Sequence, residues 1–456
     1  MNEQELLAFF RDLHEHPELG NEEYRTTEKL LEALHALGIR TLDTGLETGA
    51  VAVIGGKRPG RVIGLRGDID ALPVRELSGL SYASKIPGRM HACGHDFHTA
   101  SMLGEAALLK AREEELPGTV KVVFQPAEEI SQGGNMMAAT GLLDDADEFY
   151  GIHSYPWFEA GTLGIKEGPV MAAPDRFMIV VRGESTHGAQ PHKGADPIPA
   201  ASALVLAAQT LVSRGTDPFR PVVLSVTHFE AGNTWNVIPA EVLLEGTVRT
   251  LNPDDRVRMR DALERTAENT AEAYGCAAEF TWSEGPAAVI NDAGLCAAAR
   301  QVALDMGFTV DRQEDTMDGE DFSEFTKRCP GVFVRVGTGA IPFIIPDSPL
   351  IPGRSGPRPI SSRSWPRKGC PSAMGGNTGA NTPRIPSDPC ATAGVFSVLT
   401  LLRFSQRRAA SPLFVRLCGN EKPARHPVCI WVENNKKQAP RGSWDLRGAY
   451  FRSAIA

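Results

Sequence analysis

The chain has 456 residues, 42% of them apolar, which is enough for a sizeable core and more than one ordinary domain takes up, so two folded units are expected. Apolar runs of the ~18 residues needed to cross a bilayer are absent, and the start has no basic stretch leading into an apolar one; a cytoplasmic globular protein is expected. The net charge of −9 is unevenly divided: residues 341–456 carry 17 Lys and Arg against 5 Asp and Glu, or +12, leaving 30 against 51, or −21, for residues 1–340.

Over residues 22–37, Leu30, Leu31, Leu34 and Leu37 form one helical stripe, and Gly38 stands where a terminating glycine belongs. Residues 50–54 and 62–65 are short apolar runs bounded by glycine and read as buried strands; the second leads into RGDIDALP, with Asp68 and Asp70 just past its end. Asp96 is placed to cap a helix over about 97–114, with Cys93 and His95 in the turn before it. Residues 120–124 form the next strand, followed directly by QPAEE, and residues 150–153 a further strand ending in His153. Alternating strands and helices predict a largely parallel sheet with its polar clusters past the carboxyl ends of the strands.

From about residue 174 the order changes. Strands over 177–182, 222–230, 242–248 and 277–282 and helices over 197–214 and 254–274 make a βαββαβ unit, inserted into the first. A helix over 295–306, the acidic DGEDF at 318–322 and a strand over 332–336 then resume the first unit. Beyond residue 340 the periodicity stops. Residues 341–389 are rich in Pro, Ser, Gly and Arg, as disordered segments are, and residues 391–404 are consistent with one isolated helix. The eight cysteines are scattered and no disulfide framework is expected.

The chemistry centres on residues 89–99, RMHACGHDFHT. A Cys93-x-His95 pair alone is more often a buried thiol and a satisfied histidine than a metal site. Glu128 and Glu129, however, follow a Gln-Pro turn at a strand end, where adjacent carboxylates repel unless a cation or proton relieves them. One can then bind metal while its neighbour takes a proton from water. With His153 at another strand end, these coincidences favour a hydrolytic metal centre, and a thiolate ligand admits Zn, Co, Ni or Mn.

RGDIDALP, MHACGHDFHTA, QPAEE, GIHSYP, STHGAQPH, NVIPAEVLLEGTVRT and GEDFSEF, in this order, resemble the M20 family of metallopeptidases, in particular its amidohydrolase branch of aminoacylases, hippurate hydrolases and auxin-conjugate hydrolases. The likeness spans residues 1–340. It implies an α/β catalytic domain of the zinc-exopeptidase kind (1–173 and 285–340) with an inserted α+β, ferredoxin-like lid or dimerisation domain (174–284). It further implies two divalent metal ions, Mn or Zn, with Cys93 bridging, His95, His153 and Glu129 as further ligands, Glu128 as general base and Asp70 supporting the site. On the lid, His187 and Asn236 match residues that help hold substrate or the developing oxyanion in a homodimer, and Arg249 is suited to pair with a substrate carboxylate. The implied reaction is hydrolysis of an N-acyl-amino acid; an aminopeptidase or dipeptidase activity is the alternative within the family.

One departure stands out. The family has a further metal-binding histidine shortly after a strand like 332–336, in a His-x-Pro-x-Phe segment, and here there is no histidine between His228 and His426. Residues 343–352 are encodable by codons that, read out of frame, spell such a segment, so the tail at 341–456 is read as the product of a frameshift near codon 340. An inactive product lacking a ligand is therefore a further expectation. The tail's charge is that of a nucleic-acid binder, but it lacks a folded motif for one, and neither nucleic acid nor membrane is expected as a partner.

Overall fold

The structure, a computed structural model, describes residues 1–312 and 314–339; the basic tail and the helix expected at 391–404 lie outside the described residues. An eight-stranded sheet runs in the spatial order Arg40–Leu42, Ala50–Gly55, Thr119–Gln125, Val62–Asp68, Glu148–Tyr155, Gly331–Gly337, Thr162–Gly164, Thr309–Asp311. Its four central strands, from Thr119–Gln125 to Gly331–Gly337, are mutually parallel. Ala50–Gly55 and Thr162–Gly164 pair antiparallel with their inner neighbours, so the sheet is mixed and parallel only in its middle. The central strands are buried almost end to end, as strands covered on both faces must be.

Helix Glu3–Glu15, to which sequence reading assigned no element, opens the chain. Its start is a capping box: Asn2 Oδ1 accepts from the Glu5 N–H at 3.0 Å, and Glu5 Oε2 accepts from the Asn2 N–H at 2.8 Å. Leu6, Phe10 and Leu13 bury one face. Helix Tyr24–Ala36 buries Leu30 and Leu34 and ends as the sequence suggests. Gly38, at φ +68°, lets its own N–H reach the His35 carbonyl at 2.9 Å and the Ile39 N–H reach that of Leu34 at 2.9 Å, the Schellman closure. The next helix differs from expectation. It spans His95–Ala111 and begins after Gly94, so His95 is its first residue and Asp96 lies inside the first turn instead of capping it. Asp96 is buried there because His14 Nδ1 lies 2.7 Å from its Oδ2.

A second, antiparallel sheet runs Val222–Ala231, Glu241–Thr250, Ala173–Arg182, Ala277–Ser283, with helices Pro197–Ser213 and Pro253–Ala273 between its strands in the chain. Alternate residues of Ala173–Arg182 are buried, which is the pattern of a sheet covered on one face. Phe177, Ile179, Val181, Leu204, Leu244, Met259 and Leu263 make a core separate from that of the first sheet. The chain's two crossings between the sheets are tied at Asp175. Its buried carboxylate accepts from Arg256 Nε at 2.8 Å and from the Gly285 N–H at 2.9 Å, while Arg256 Nη2 also donates to the Gly285 carbonyl. Nearby, the Ala172 N–H donates to the Asp318 carbonyl at 2.9 Å and Arg249 Nη1 to that of Met317 at 3.0 Å.

Candidate metal centre

The parallel strands deliver their carboxyl ends to one place. Val62–Asp68 ends beside Ile69 and Asp70, Thr119–Gln125 runs into Pro126-Ala127-Glu128-Glu129, Glu148–Tyr155 carries His153, and helix His95–Ala111 starts against them. Ala127 is forced to φ +52°, a strained value for a residue with a Cβ, and its N–H is held by buried Glu23 Oε1 at 2.7 Å. That turn sets the direction of both glutamates.

Cys93, His95 and Glu129 bring their ligand atoms within 4.8 Å of one another. His95 Nδ1–H donates to Asp70 Oδ1 at 3.1 Å, which leaves Nε2 as the atom free to ligate; Asp70 Oδ2 accepts from the Glu129 N–H at 3.0 Å. Asp70 thus orients a candidate ligand on either side of it. His95 Nε2 and Glu129 Oε1 are both buried without a hydrogen-bond partner and lie 3.7 Å apart, too far to bond each other. Buried polar atoms are seldom left so, and a cation between them satisfies both. The donor set of thiolate, imidazole and carboxylate fits a divalent transition metal. His153 donates from Nδ1 to the Ser154 carbonyl at 2.7 Å, again leaving Nε2 available, and its ring lies 6.2 Å from that of His95, although it is outside the tight Cys93–His95–Glu129 group.

Charge in the site follows from burial and crowding. Burial pushes Glu128 well above the usual carboxylate range, and Glu320 and Asp321 push it further. Burial also raises Glu129 and the Cys93 thiol, with Glu129 adding to the latter. Burial opposes a charge on His95, but Asp68, Asp70 and Glu129 outweigh it and hold the imidazole well above its ordinary value. A cation held by His95 would take the place of that proton.

Sequence reading gave no role to several residues that complete the centre. Arg66 is fully buried and donates to Gln125 Oε1 at 2.8 Å, Asp68 Oδ2 at 2.7 Å, Glu320 Oε1 at 2.8 Å and Asp321 Oδ1 at 2.9 Å. Glu128, Glu320 and Asp321 form a second carboxylate group beside it. His98 lies between Asp68 and Ser154, and burial pushes it down to about 4. A signal existed for Arg66 and Asp68, since a spacing of two puts both on one face of a strand. The lid candidates stand elsewhere. His187 pairs with Val237 in a two-stranded ribbon and Asn236 adjoins that pairing; His187 is exposed and Asn236 half-buried, and their hydrogen bonds are local to the ribbon. Arg249 donates to the Met317 carbonyl, on the segment leading to Glu320.

A mixed α/β fold with a cysteine, histidine and glutamate cluster at parallel strand ends is that of a metal-dependent hydrolase acting on amide bonds. The chain belongs to peptidase family M20/M25/M40, which its residues 64–346 match. It is 44% identical over 334 residues to the N-acetylcysteine deacetylase of Bacillus subtilis (strain 168), a match covering 73% of this chain and 88% of that protein. It is 42% identical over 288 residues to the N-acyl-L-amino acid amidohydrolase of Geobacillus stearothermophilus, covering 63% and 78%. A solved Bacillus subtilis structure described as a dinuclear metal binding peptidase from the M20 family superposes with a TM-score of 0.67 at 42% identity, over 74% of this chain and 89% of that one. Among the described residues no helix is long and apolar enough to cross a membrane.

Proposed function

We propose that this chain cleaves the amide bond of N-acyl-amino acids, hippurate or N-acetyl-amino acids among them, to a carboxylic acid and a free amino acid. The observation that carries the reading is the pair of buried, unpartnered atoms, His95 Nε2 and Glu129 Oε1, beside Cys93. Cys93, His95, Glu129 and His153 would hold two divalent ions, Mn or Zn with Co or Ni also accepted. When bound, these supply Lewis acidity that makes water a nucleophile at neutral pH and stabilises charge on the substrate carbonyl. Glu128 is the general base. Its Oε2 lies 3.9 Å from His95 Nε2, at the edge of the cluster, and its raised affinity for a proton suits it to accept one from water and deliver it to the leaving amine. Asp70 keeps His95 and Glu129 in register throughout.

Residues 1–173 and 285–340 would form the catalytic domain and 174–284 a lid in a homodimer, on which His187, Asn236 and Arg249 bind substrate. Support comes from the outer edge of Val222–Ala231, which has no strand beside it among the described residues, and from exposed Leu206, Phe219 and Trp235 on the same unit. A second reading, an inactive product, is favoured by the lack of any histidine between His228 and His426.

Glu128→Gln should lower kcat for hippurate and N-acetyl-amino acids by about 10²–10⁴-fold with metal content unchanged. Undiminished turnover in that variant refutes the assignment of the base. Assay of the chain as written beside a frame-corrected one decides the second reading: activity in the latter alone supports it, and equal activity removes it.

A further inference from the structure

His98 lies one turn beyond His95 on the same helix and is fully buried. Its Nδ1 is 2.6 Å from Asp68 Oδ1, and the Ser154 main-chain nitrogen is 2.7 Å from its Nε2. A peptide N–H only donates, so Nε2 carries the lone pair and Nδ1 the proton, which goes to Asp68. Both nitrogens are thereby used. Although its ligand atom lies within 4.8 Å of those of Asp68 and His95, His98 as bonded here has no atom left for a metal.

What His98 holds is more telling. Ser154 donates its hydroxyl to the Cys93 carbonyl at 2.9 Å and accepts at its own carbonyl from His153 Nδ1 at 2.7 Å. One residue therefore touches the main chain of one proposed ligand and the ring of another. The His98 ring also packs edge-on against that of His153, with 4.8 Å between centroids. Asp68 is fixed in turn by Arg66 Nη1 at 2.7 Å on its second carboxylate oxygen and by Thr99 Oγ1 at 2.9 Å on its carbonyl. The run Arg66, Asp68, His98, Ser154 crosses from strand Val62–Asp68 to strand Glu148–Tyr155 and ends between Cys93 and His153.

We propose that His98 is a positioning residue for the metal centre, which through Ser154 sets the placement of Cys93 against His153 without touching metal or substrate. This rests on the metal-centre reading above. The acceptor at Nε2 is the part that matters, so the two amide replacements separate its functions. His98→Gln places an amide oxygen near Nε2 and keeps an acceptor for Ser154; His98→Asn reaches only to the Nδ1 position and keeps the donor for Asp68.

The test is cobalt(II) titration of the full chain and both variants, followed through the thiolate-to-cobalt and ligand-field bands, with urea unfolding of each metal-free protein alongside. Wild type and His98→Gln should bind with similar affinity and spectra. His98→Asn should bind about 10–100-fold more weakly with a weakened thiolate band, the size expected for loss of a group that orients ligands, while its metal-free unfolding midpoint matches that of His98→Gln. Wild-type affinity and spectrum in His98→Asn overturn the proposal. Equal losses in both variants that track an equal fall in unfolding midpoint also overturn it, by reducing His98 to a packing residue. Failure of the wild-type chain to bind cobalt overturns the metal reading itself, and this proposal with it.

Discussion

Removing Arg66 is the most demanding test of the charge arrangement beneath the site. The side chain is fully buried and donates to three carboxylates, Asp68, Glu320 and Asp321, at 2.7–2.9 Å. Hydrogen bonds to charged groups contribute about 1.5–3 kcal/mol each, so about 4–9 kcal/mol is the ceiling for Arg66→Met. The freed carboxylates relieve part of this by taking up protons, and breaking a buried ion pair from one side costs about 3–5 kcal/mol, which is the loss expected here. Its pH dependence has a definite sign. Burial already holds Asp321 up at about 7 against the pull of Arg66, so without the guanidinium it lies further above its unfolded value, and the folded variant, binding more protons there than the unfolded chain, loses stability as pH rises. Urea unfolding of metal-free protein followed by circular dichroism should therefore show a larger difference from wild type at about pH 7.5 than at about pH 5. A difference below about 1 kcal/mol, or one that is the same at both pH values, refutes the argument.

Gly133→Ala places a Cβ 1.5 Å from the Pro126 carbonyl oxygen, a backbone atom that no rotamer change can move, in the turn that carries Glu128 and Glu129. Cobalt affinity should fall by at least about tenfold, and unchanged affinity would show that the turn does not set the ligands. Leu34→Ala removes a fully buried side chain from the helix that covers the sheet and should cost about 2–5 kcal/mol in equilibrium unfolding; a loss within error of zero would contradict the packing described. Burial opposes a charge on His14, yet Asp96 at 2.7 Å and Glu76 at 3.2 Å, both acceptors, raise it above its ordinary 6.5. A raised histidine contributes stability that is complete below its unfolded pKa and is lost as pH climbs through the folded one. His14→Gln should therefore cost more at about pH 6 than at about pH 9, and equal costs at the two would exclude a charged His14.

The parts of this molecule legible in the sequence are those whose signal is local. Leu30, Leu34 and Gly38 announce a helix and its end within a few residues, and the βαββαβ order of the second sheet follows from strand and helix lengths alone. Cys93, His95, Glu128 and Glu129 stand out as candidates because ligand-type residues cluster at predicted strand ends, and the structure gathers Cys93, His95 and Glu129 while grouping Glu128 with Glu320 and Asp321. What was missed depends on partners far away in the chain. Arg66 reads as a strand charge until Glu320 and Asp321, some 250 residues on, are seen to close around it. Asp96 fits the rule for a helix cap, and only the arrival of His14 from the first helix explains why it is buried inside the turn instead. His98 is one histidine of three in a motif, and its use of both nitrogens is a fact of three-dimensional neighbours.

The knot at Asp175 bears on how such a chain is assembled. Because the Asp175 carboxylate on the departing strand accepts from the returning Gly285 as well as from Arg256, the larger sheet meets the inserted one as a loop whose two ends are already joined. Whatever lies between those ends is invisible to the strand order of the first sheet, and the second, with a core of its own, is equally indifferent to it. The insert is thus a cassette. Its length and contents are free to change without re-threading the sheet whose strand ends carry Glu128, Glu129 and His153, while Arg249 and Ala172, bonded to the segment at Met317 and Asp318, keep the cassette in mechanical touch with the acids around Arg66.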